Sequence, residues 1–361
     1  MFNRNNTEWE EQNTSLILGQ PAALLDSINR QHPRMFQYYK EQKEADWQED
    51  EINLESSRLD FESCPEDIYG AMVENLAYQW EADSIAVNSY AYLLTPFITD
   101  SDFRLFINKL VEIEGLHGLT YSEVGRLCFK DPKELFNLAM NSEFICARMG
   151  TVERLLEELK QASCNYSLGN LENDQELYNK AFMGLLTFYV LERVSFMSSF
   201  AHTFSIVKAG YFKGVGDLVQ KIMQDERWYH CEAMKYAIQK EMFTDRGMKA
   251  YMECLDDVQA VLEEARAAEH SWNAHIFSKY SIPNETEDRF NKWVDYNVQD
   301  VYKTFMLTPP FEVQDVNPLP YMDDYLDLNK FQNANQESDN NNYSLNSFVN
   351  DIPQGKVFGY F

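Results

Sequence analysis

One Glu-x-x-His occurs in the 361-residue chain, Glu114-Gly115-Leu116-His117. On a helix, three residues turn the chain by about 300°, so both side chains leave from nearly the same face. A carboxylate oxygen and an imidazole nitrogen can then reach one metal ion. Alone, the pattern is more often that of a buried histidine hydrogen-bonded to a glutamate. Other acids in apolar surroundings strengthen the metal reading. Asp83 stands 31 residues before Glu114, and Glu192 lies within the apolar run Phe188 to Phe196. An ionised carboxylate buried there costs several kcal/mol unless it is paired or bound to a cation. Its neighbour Arg193 points about 100° away around a helix and need not be the partner. Glu226 and His230 stand four apart, again near one face. Four helices thus offer Asp83; Glu114 and His117; Glu192; and Glu226 and His230. Four carboxylates and two imidazoles are the ligand set of a carboxylate-bridged two-metal site in a helix bundle. Such oxygen-rich ligands suit iron or manganese better than a structural zinc site, which prefers thiolate. Zinc, or a purely polar core, is the alternative.

The elements that must position these groups read as helices. Apolar residues recur at three and four in Val73, Leu76, Ala77 and Trp80, and again from Phe103 to Ile113. The stretch Leu185 to Val190 is apolar on nearly every side, as the central helix of a bundle is. Gly (14) and Pro (11) are scarce, and no strand ladder or repeat is visible, so the fold class is all-α. The expected breaks are Thr95-Pro96, Asp131-Pro132, Ser163 to Asp174, Gly210 to Gly216 and Ile282-Pro283-Asn284. Residues 1–46 read as a polar segment with a short amphipathic piece from Met35 to Lys43. Trp47 to Leu59 reads as a link to the first long helix, with Ser63 as that helix's cap ahead of Pro65. The helical domain then runs over 47–310. Residues 311–361 read as an extended segment and a tail, Asn/Gln/Ser-rich and disordered over 330–347 and apolar again from Lys356 to Phe361. Such a tail is a tethered docking peptide or a frayed end.

A net charge of −27 without a dense basic block argues against nucleic-acid binding. The most apolar segment, Ala181 to Val207, is interrupted by Glu192, Arg193 and His202 and reads as a buried helix rather than a membrane span. Six cysteines without a Cys-x-x-Cys pair, and no apolar leader at the N-terminus, suit a reduced cytoplasmic protein.

From about residue 36 onward the sequence resembles the small, radical-generating subunit of class I ribonucleotide reductase. Several segments carry the likeness: Glu41 to Ile52 around Trp47, Tyr78-Gln79 with Asp83-Ser84-Ile85, and Glu114-x-x-His117 followed four residues later by Tyr121. Glu192 with Phe196 and Phe200, Asp225-Glu226, and Asn317-Pro318-Leu319-Pro320 complete the series. The order and separations are the family's. One departure stands out: the family's last motif is Asp-Glu-x-x-His, whereas here an extra residue separates Glu226 from His230. A local π-bulge would absorb it; otherwise Tyr229 occupies the ligand's expected place.

The resemblance implies a ferritin-like bundle holding two iron ions per chain, or manganese, or one of each, with Asp83, Glu114, His117, Glu192, Glu226 and His230 as ligands. It implies that reduced metal and O2 oxidise Tyr121 to a stored radical in a pocket walled by Phe196 and Phe200. Trp47 would carry electrons in, with Asp225 linking it to His117 and Gln42 joining that network. Tyr343 would relay the radical to a large subunit docked by Val357, Phe358, Tyr360 and Phe361, and the chain would be a homodimer. The activity implied is ribonucleoside-diphosphate reduction. Cys231, His202, His270 and His275 are expected to be ordinary. Two other readings compete: a stand-alone ferritin-like di-iron oxidase or desaturase, which needs neither Tyr121, Trp47 nor a relay tail, and a scaffold subunit with a degenerate metal site.

Overall fold

A computed structural model describes residues 15–20, 25 and 30–328. The apolar period is realised in it as fourteen α-helices. In chain order they are α1 (Pro33–Glu44), α2 (Glu55–Ser63), α3 (Glu66–Ser89), α4 (Ser101–Cys128), α5 (Lys133–Asn141), α6 (Glu143–Ser167) and α7 (Gln175–Val190). There follow α8 (Met197–Lys208), α9 (Lys213–Asp225), α10 (Cys231–Met242), α11 (Asp245–Glu253), α12 (Leu255–Lys279), α13 (Glu287–Thr304) and α14 (Tyr321–Leu326). Three π-helical turns, Tyr90–Leu94, Leu191–Phe196 and Glu226–His230, are built into them. The second and third join α7 to α8 and α9 to α10 without a break, so two helices run long through the centre. Among the described residues the only β-contact is an isolated bridge between Ile17 and Ile98.

The central helix from Gln175 to Lys208 is long and apolar enough to cross a membrane, but 94% of its most apolar window is buried inside the protein. It is packed on all sides: α6, α10 and α11 against α7, and α3, α9 and α13 against α8. That surround is what an all-round apolar helix requires. α3 lies along α4, and α1 along α4, so the helices bearing the candidate ligands are direct neighbours in the core.

Some local expectations are corrected. Ser63 does not cap α3: its hydroxyl donates back to the Leu59 carbonyl and closes α2. α3 starts at Glu66 without a side-chain cap, its dipole met by Glu66 and Asp67. Within the link before it, residues 55–59 are already helical. α6 continues through Ser167 and α9 begins at Lys213, so both of those breaks are shorter than read. The turn between α8 and α9 needs left-handed backbone at Gly210 (φ 98°) and at Phe212 (φ 56°). The strain at Phe212 is offset by burial of its ring against Phe61, with centroids 4.3 Å apart, and by its N–H donating to Asp60.

His202, on α8, gives the fold a pH dependence. Burial holds its imidazole down at about 3, against the hydrogen bond with Asn273 that favours the charged form. Its Nδ1 has no partner. Since the unfolded chain takes up this proton near pH 6.5, stability is full above that pH and falls as pH drops towards 3. We expect about 2 kcal/mol of the stability lost between pH 7 and pH 5 to be absent in His202→Gln, measured by urea unfolding at both pH values. Equal losses in both proteins would contradict this.

Candidate metal centre

Asp83 projects inward from α3, Glu114 and His117 from α4, Glu192 from the π turn of the central helix, and Glu226 and His230 from the π turn between α9 and α10. All six are completely buried. Their ligating atoms form two overlapping groups, each within 4.8 Å: Asp83, Glu114, His117 and Glu226 in one, and Glu114, Glu192, Glu226 and His230 in the other. Glu114 and Glu226 belong to both. His117 Nδ1 lies 2.8 Å from Glu226 Oε1 and 3.7 Å from Glu114 Oε2. His230 Nδ1 lies 2.7 Å from Glu226 Oε2 and 3.2 Å from Glu114 Oε1. Each shared carboxylate thus turns one oxygen to each imidazole, which is how a carboxylate bridges two cations.

The extra residue between Glu226 and His230 is absorbed by the π turn. His230 joins the cluster. Tyr229 faces other charges, those of Asp225 and of Glu41 and Glu44 on α1, none of them in the ligand groups, and burial first and then these push its phenol up to about 12.

The residues fit a pair of metal ions, as their unmet valences show. Both oxygens of Asp83 and of Glu114, and Glu192 Oε2, are buried without a hydrogen-bond partner, and His117 Nδ1 and Glu226 Oε1, though 2.8 Å apart, lack hydrogen-bond geometry. So many orphaned polar atoms at one point demand a ligand. Protons stand in for cations in the metal-free protein. Burial, then the neighbouring Glu114, pushes the Asp83 carboxyl well above the carboxylate range, and burial with Glu226 does the same to Glu192. Burial also disfavours charge on the other members, but there the neighbours win. His230 and His117 hold Glu226 below its usual value, and the carboxylates raise His230 to about 9 and His117 well above 6.5.

A further layer supports the cluster. His117 Nε2 lies 3.2 Å from Asp225 Oδ2, and Trp47 Nε1 donates to the same oxygen at 2.7 Å. The Trp47 and His117 rings are nearly parallel, with centroids 6.0 Å apart. The Gln42 amide lies 2.6 Å from His230 Nε2. With Nδ1 facing the carboxylates, Nε2 carries the proton, so the amide oxygen is the end that must face it. Tyr121, one turn past His117, is fully buried with its hydroxyl unpartnered. Burial first, then the charges of Asp83, Glu226 and Glu114, keep that phenol protonated. Phe196 and Phe200 are fully buried and stack at 6.0 Å.

The family model for the ribonucleotide reductase small chain matches residues 26–318. This chain belongs to that family. Among curated relatives, the ribonucleoside-diphosphate reductase subunit beta of Buchnera aphidicola from Acyrthosiphon pisum is 22% identical over 93% of both chains. That of Enterobacteria phage T4 is 23% identical over 85% of both. Among solved structures, the ribonucleotide reductase R2 subunit from Clostridium botulinum superposes with a TM-score of 0.77 at 15% identity, covering 91% of this chain and 98% of the other. Dimanganese(II)-NrdF of Streptococcus sanguinis gives 0.63 at 13% identity, covering 82% and 96%. The all-α, ferritin-like class read from the sequence is thereby borne out.

For this ribonucleotide reductase small chain, the remaining expected residues divide cleanly. Cys231 is buried, its thiol pushed up to about 11 mainly by burial, and it joins neither ligand group. His270 contacts Asp295 and His275 contacts Glu74, away from the cluster. Tyr343 and the terminal Val357, Phe358, Tyr360 and Phe361 lie outside the described residues. Two contacts were not read from the sequence: Gln42 meets His230 rather than the network of Trp47, Asp225 and His117, and the Tyr90 hydroxyl donates to Glu192 Oε1 at 2.5 Å. For Tyr90 the available signal was its spacing, seven residues or two helical turns beyond Asp83.

Proposed function

We propose that this chain supplies the oxidising equivalent for ribonucleoside-diphosphate reduction, made at a two-metal site and stored on Tyr121. Asp83, Glu114, His117 and Glu226 would hold one cation, and Glu114, Glu192, Glu226 and His230 the other. Iron, manganese or one of each suits this donor set. The bound metal would supply reduction of O2 and, with it, oxidation of a neighbouring phenol. The observation that carries the reading is the pair of overlapping groups of unmet donor atoms, with a buried, unpartnered tyrosine hydroxyl one helical turn away.

The chain's own residues set the conditions. Asp225 accepts the proton-bearing Nε2 of His117, which fixes the ring with Nδ1 towards the site. Through the same oxygen it ties in Trp47, the residue proposed to pass electrons inward. Complete burial keeps water and reductants from the oxidised phenol, a task shared by Phe196 and Phe200. After burial, Asp83 is the largest influence on the Tyr121 phenol, and once a bound cation has displaced its own proton its carboxylate would be the acceptor for the phenolic proton. Tyr343 is the proposed relay to the large subunit, reached through the tail. A homodimer is supported by exposed apolar side chains grouped on α4 to α6: Leu119, Leu127, Phe136, Met140 and Phe144. The cysteines of the described helices are free thiols, which supports a cytoplasmic setting.

Loaded with Fe(II) and exposed to O2, the protein is expected to show a tyrosyl radical at low temperature by electron paramagnetic resonance. Tyr121→Phe should remove that signal while still binding two metal ions per chain. A radical of unchanged yield in the variant would take the role away from Tyr121.

A further inference from the structure

Glu192 is held differently from the other three cluster carboxylates. Asp83 and Glu114 have no hydrogen-bond partner on either oxygen, and Glu226 is engaged only by the cluster's own His117 and His230. Glu192 alone receives a hydrogen bond from a residue outside the ligand set, from Tyr90. Its second oxygen, Oε2, is buried and unpartnered. At 2.5 Å, the contact is at the short end of the range for a hydroxyl donating to a carboxylate.

The phenol is built to hold that place. Tyr90 is fully buried, and its ring stacks on Phe188 with centroids 4.0 Å apart and planes 20° from parallel. Phe188 is one helical turn before Glu192, so the two share a face of the central helix. Tyr90 therefore lies along that face, its ring on one residue and its hydroxyl on the next. Its own backbone opens the π turn Tyr90–Leu94, and Glu192 sits in a second π turn. π turns re-aim side chains that a regular helix would carry past one another. Seven residues after Asp83, Tyr90 is also on the same side of its helix as that ligand. One helix thus reaches the first group of donors directly, through Asp83, and the second indirectly, through Glu192.

We propose that Tyr90 is a positioning residue: it pins Glu192 Oε1 and leaves Oε2 as the one oxygen that Glu192 offers to the cation shared with His230. The inference rests on the two-metal reading above. A glutamate has three rotatable side-chain bonds, and without the phenol no described residue outside the ligand set holds this carboxylate in the absence of metal. Outer hydrogen bonds of this kind commonly contribute 10- to 100-fold to metal affinity.

The test is a Co(II) titration of the metal-free full-length protein, followed by visible absorption with a competing chelator so that the two affinities are resolved. Tyr90→Phe keeps the ring on Phe188 and removes only the hydroxyl. We expect one of the two cations to bind about 10- to 100-fold more weakly, with a changed Co(II) spectrum, and the other to be unaffected. Phe188→Leu, which frees the ring but keeps the hydroxyl, should weaken the same cation to a lesser degree. In a Glu192→Gln background, Tyr90→Phe should have no further effect, a coupling that a packing role would not produce. If the wild-type protein binds two Co(II) ions and Tyr90→Phe binds them identically, the positioning role falls and the metal centre stands. The positioning role falls likewise if the loss persists undiminished in the Glu192→Gln background. If the wild-type protein binds no Co(II), the metal-centre reading fails and this inference with it.

Discussion

Glu114→Leu is expected to strip both cations from the site and, in the same protein, to raise the stability of the metal-free fold. Glu114 and Glu226 are the two carboxylates common to both ligand groups. Glu226 is held by His117 and His230, whereas both oxygens of Glu114 lack a hydrogen bond. Leucine fills nearly the same volume and offers no donor. Metal analysis after reconstitution should fall from two ions per chain to none. Without metal, Glu114 is a carboxylate in a completely buried site with three others, and its charge is one reason Asp83 is driven to hold a proton. A buried charge network gives way to a packed apolar side chain at neutral or favourable cost, up to about 1–4 kcal/mol, where the charges left behind can pair again, and here Asp83 can release its proton and face His117 once Glu114 is gone. In a chain of this size that is a rise of a few degrees in Tm, read by calorimetry with a chelator present. Two ions per chain in the variant would remove Glu114 from the shared position. A large fall in metal-free stability would show that its contacts, not its vacancies, define its role.

That trade between function and stability is also why the site was legible in the sequence. Glu192 amid Leu191, Val194 and Phe196 has no structural reason to be charged, and a buried acid without a nearby base points to a cation. Reading four such positions on four helices was enough to group all six residues that the fold brings together. The bundle was legible for the same reason: α4 and the central helix are long and strongly periodic. What was not legible follows from broken or weak periods. α2 buries only Ser57 and Phe61, two positions in nine residues, too few to stand out. Ser63 reads as a cap from its type and place, but a serine can as well return its hydroxyl to the preceding turn, as it does here. Tyr90 was hidden because the π turn that begins at it ends the regular period of α3. The π turn at Glu226–His230 was foreseen because there the resemblance fixed where each ligand had to be, so one surplus residue had a single place to go.

Removing residues 331–361 is expected to abolish nucleotide reduction with the large subunit while leaving metal content and the Tyr121 radical intact. The described chain explains why the damage should be confined. Gln220 and Gln224, on α9, both donate to the Tyr325 carbonyl, at 2.9 and 3.1 Å, and Trp228 Nε1 donates to the Leu326 carbonyl at 2.9 Å. The Tyr325 ring stacks on Phe204 with centroids 4.1 Å apart. The chain is therefore fastened through Leu326 to α9 and to the π turn after it, the stretch that carries Asp225 and Glu226, and the cut removes nothing that these contacts use. What it does remove is Tyr343 and the apolar Val357, Phe358, Tyr360 and Phe361, which the sequence sets in and after an Asn-rich stretch. Two finer experiments separate their tasks. Tyr343→Phe should keep binding to the large subunit, measured by sedimentation, and lose turnover, whereas a synthetic peptide of residues 354–361 should compete for binding. Full turnover by the truncated chain would defeat the relay. Oxidation of a substrate of its own, with no large subunit present, would instead place this bundle among oxidases or desaturases that work alone.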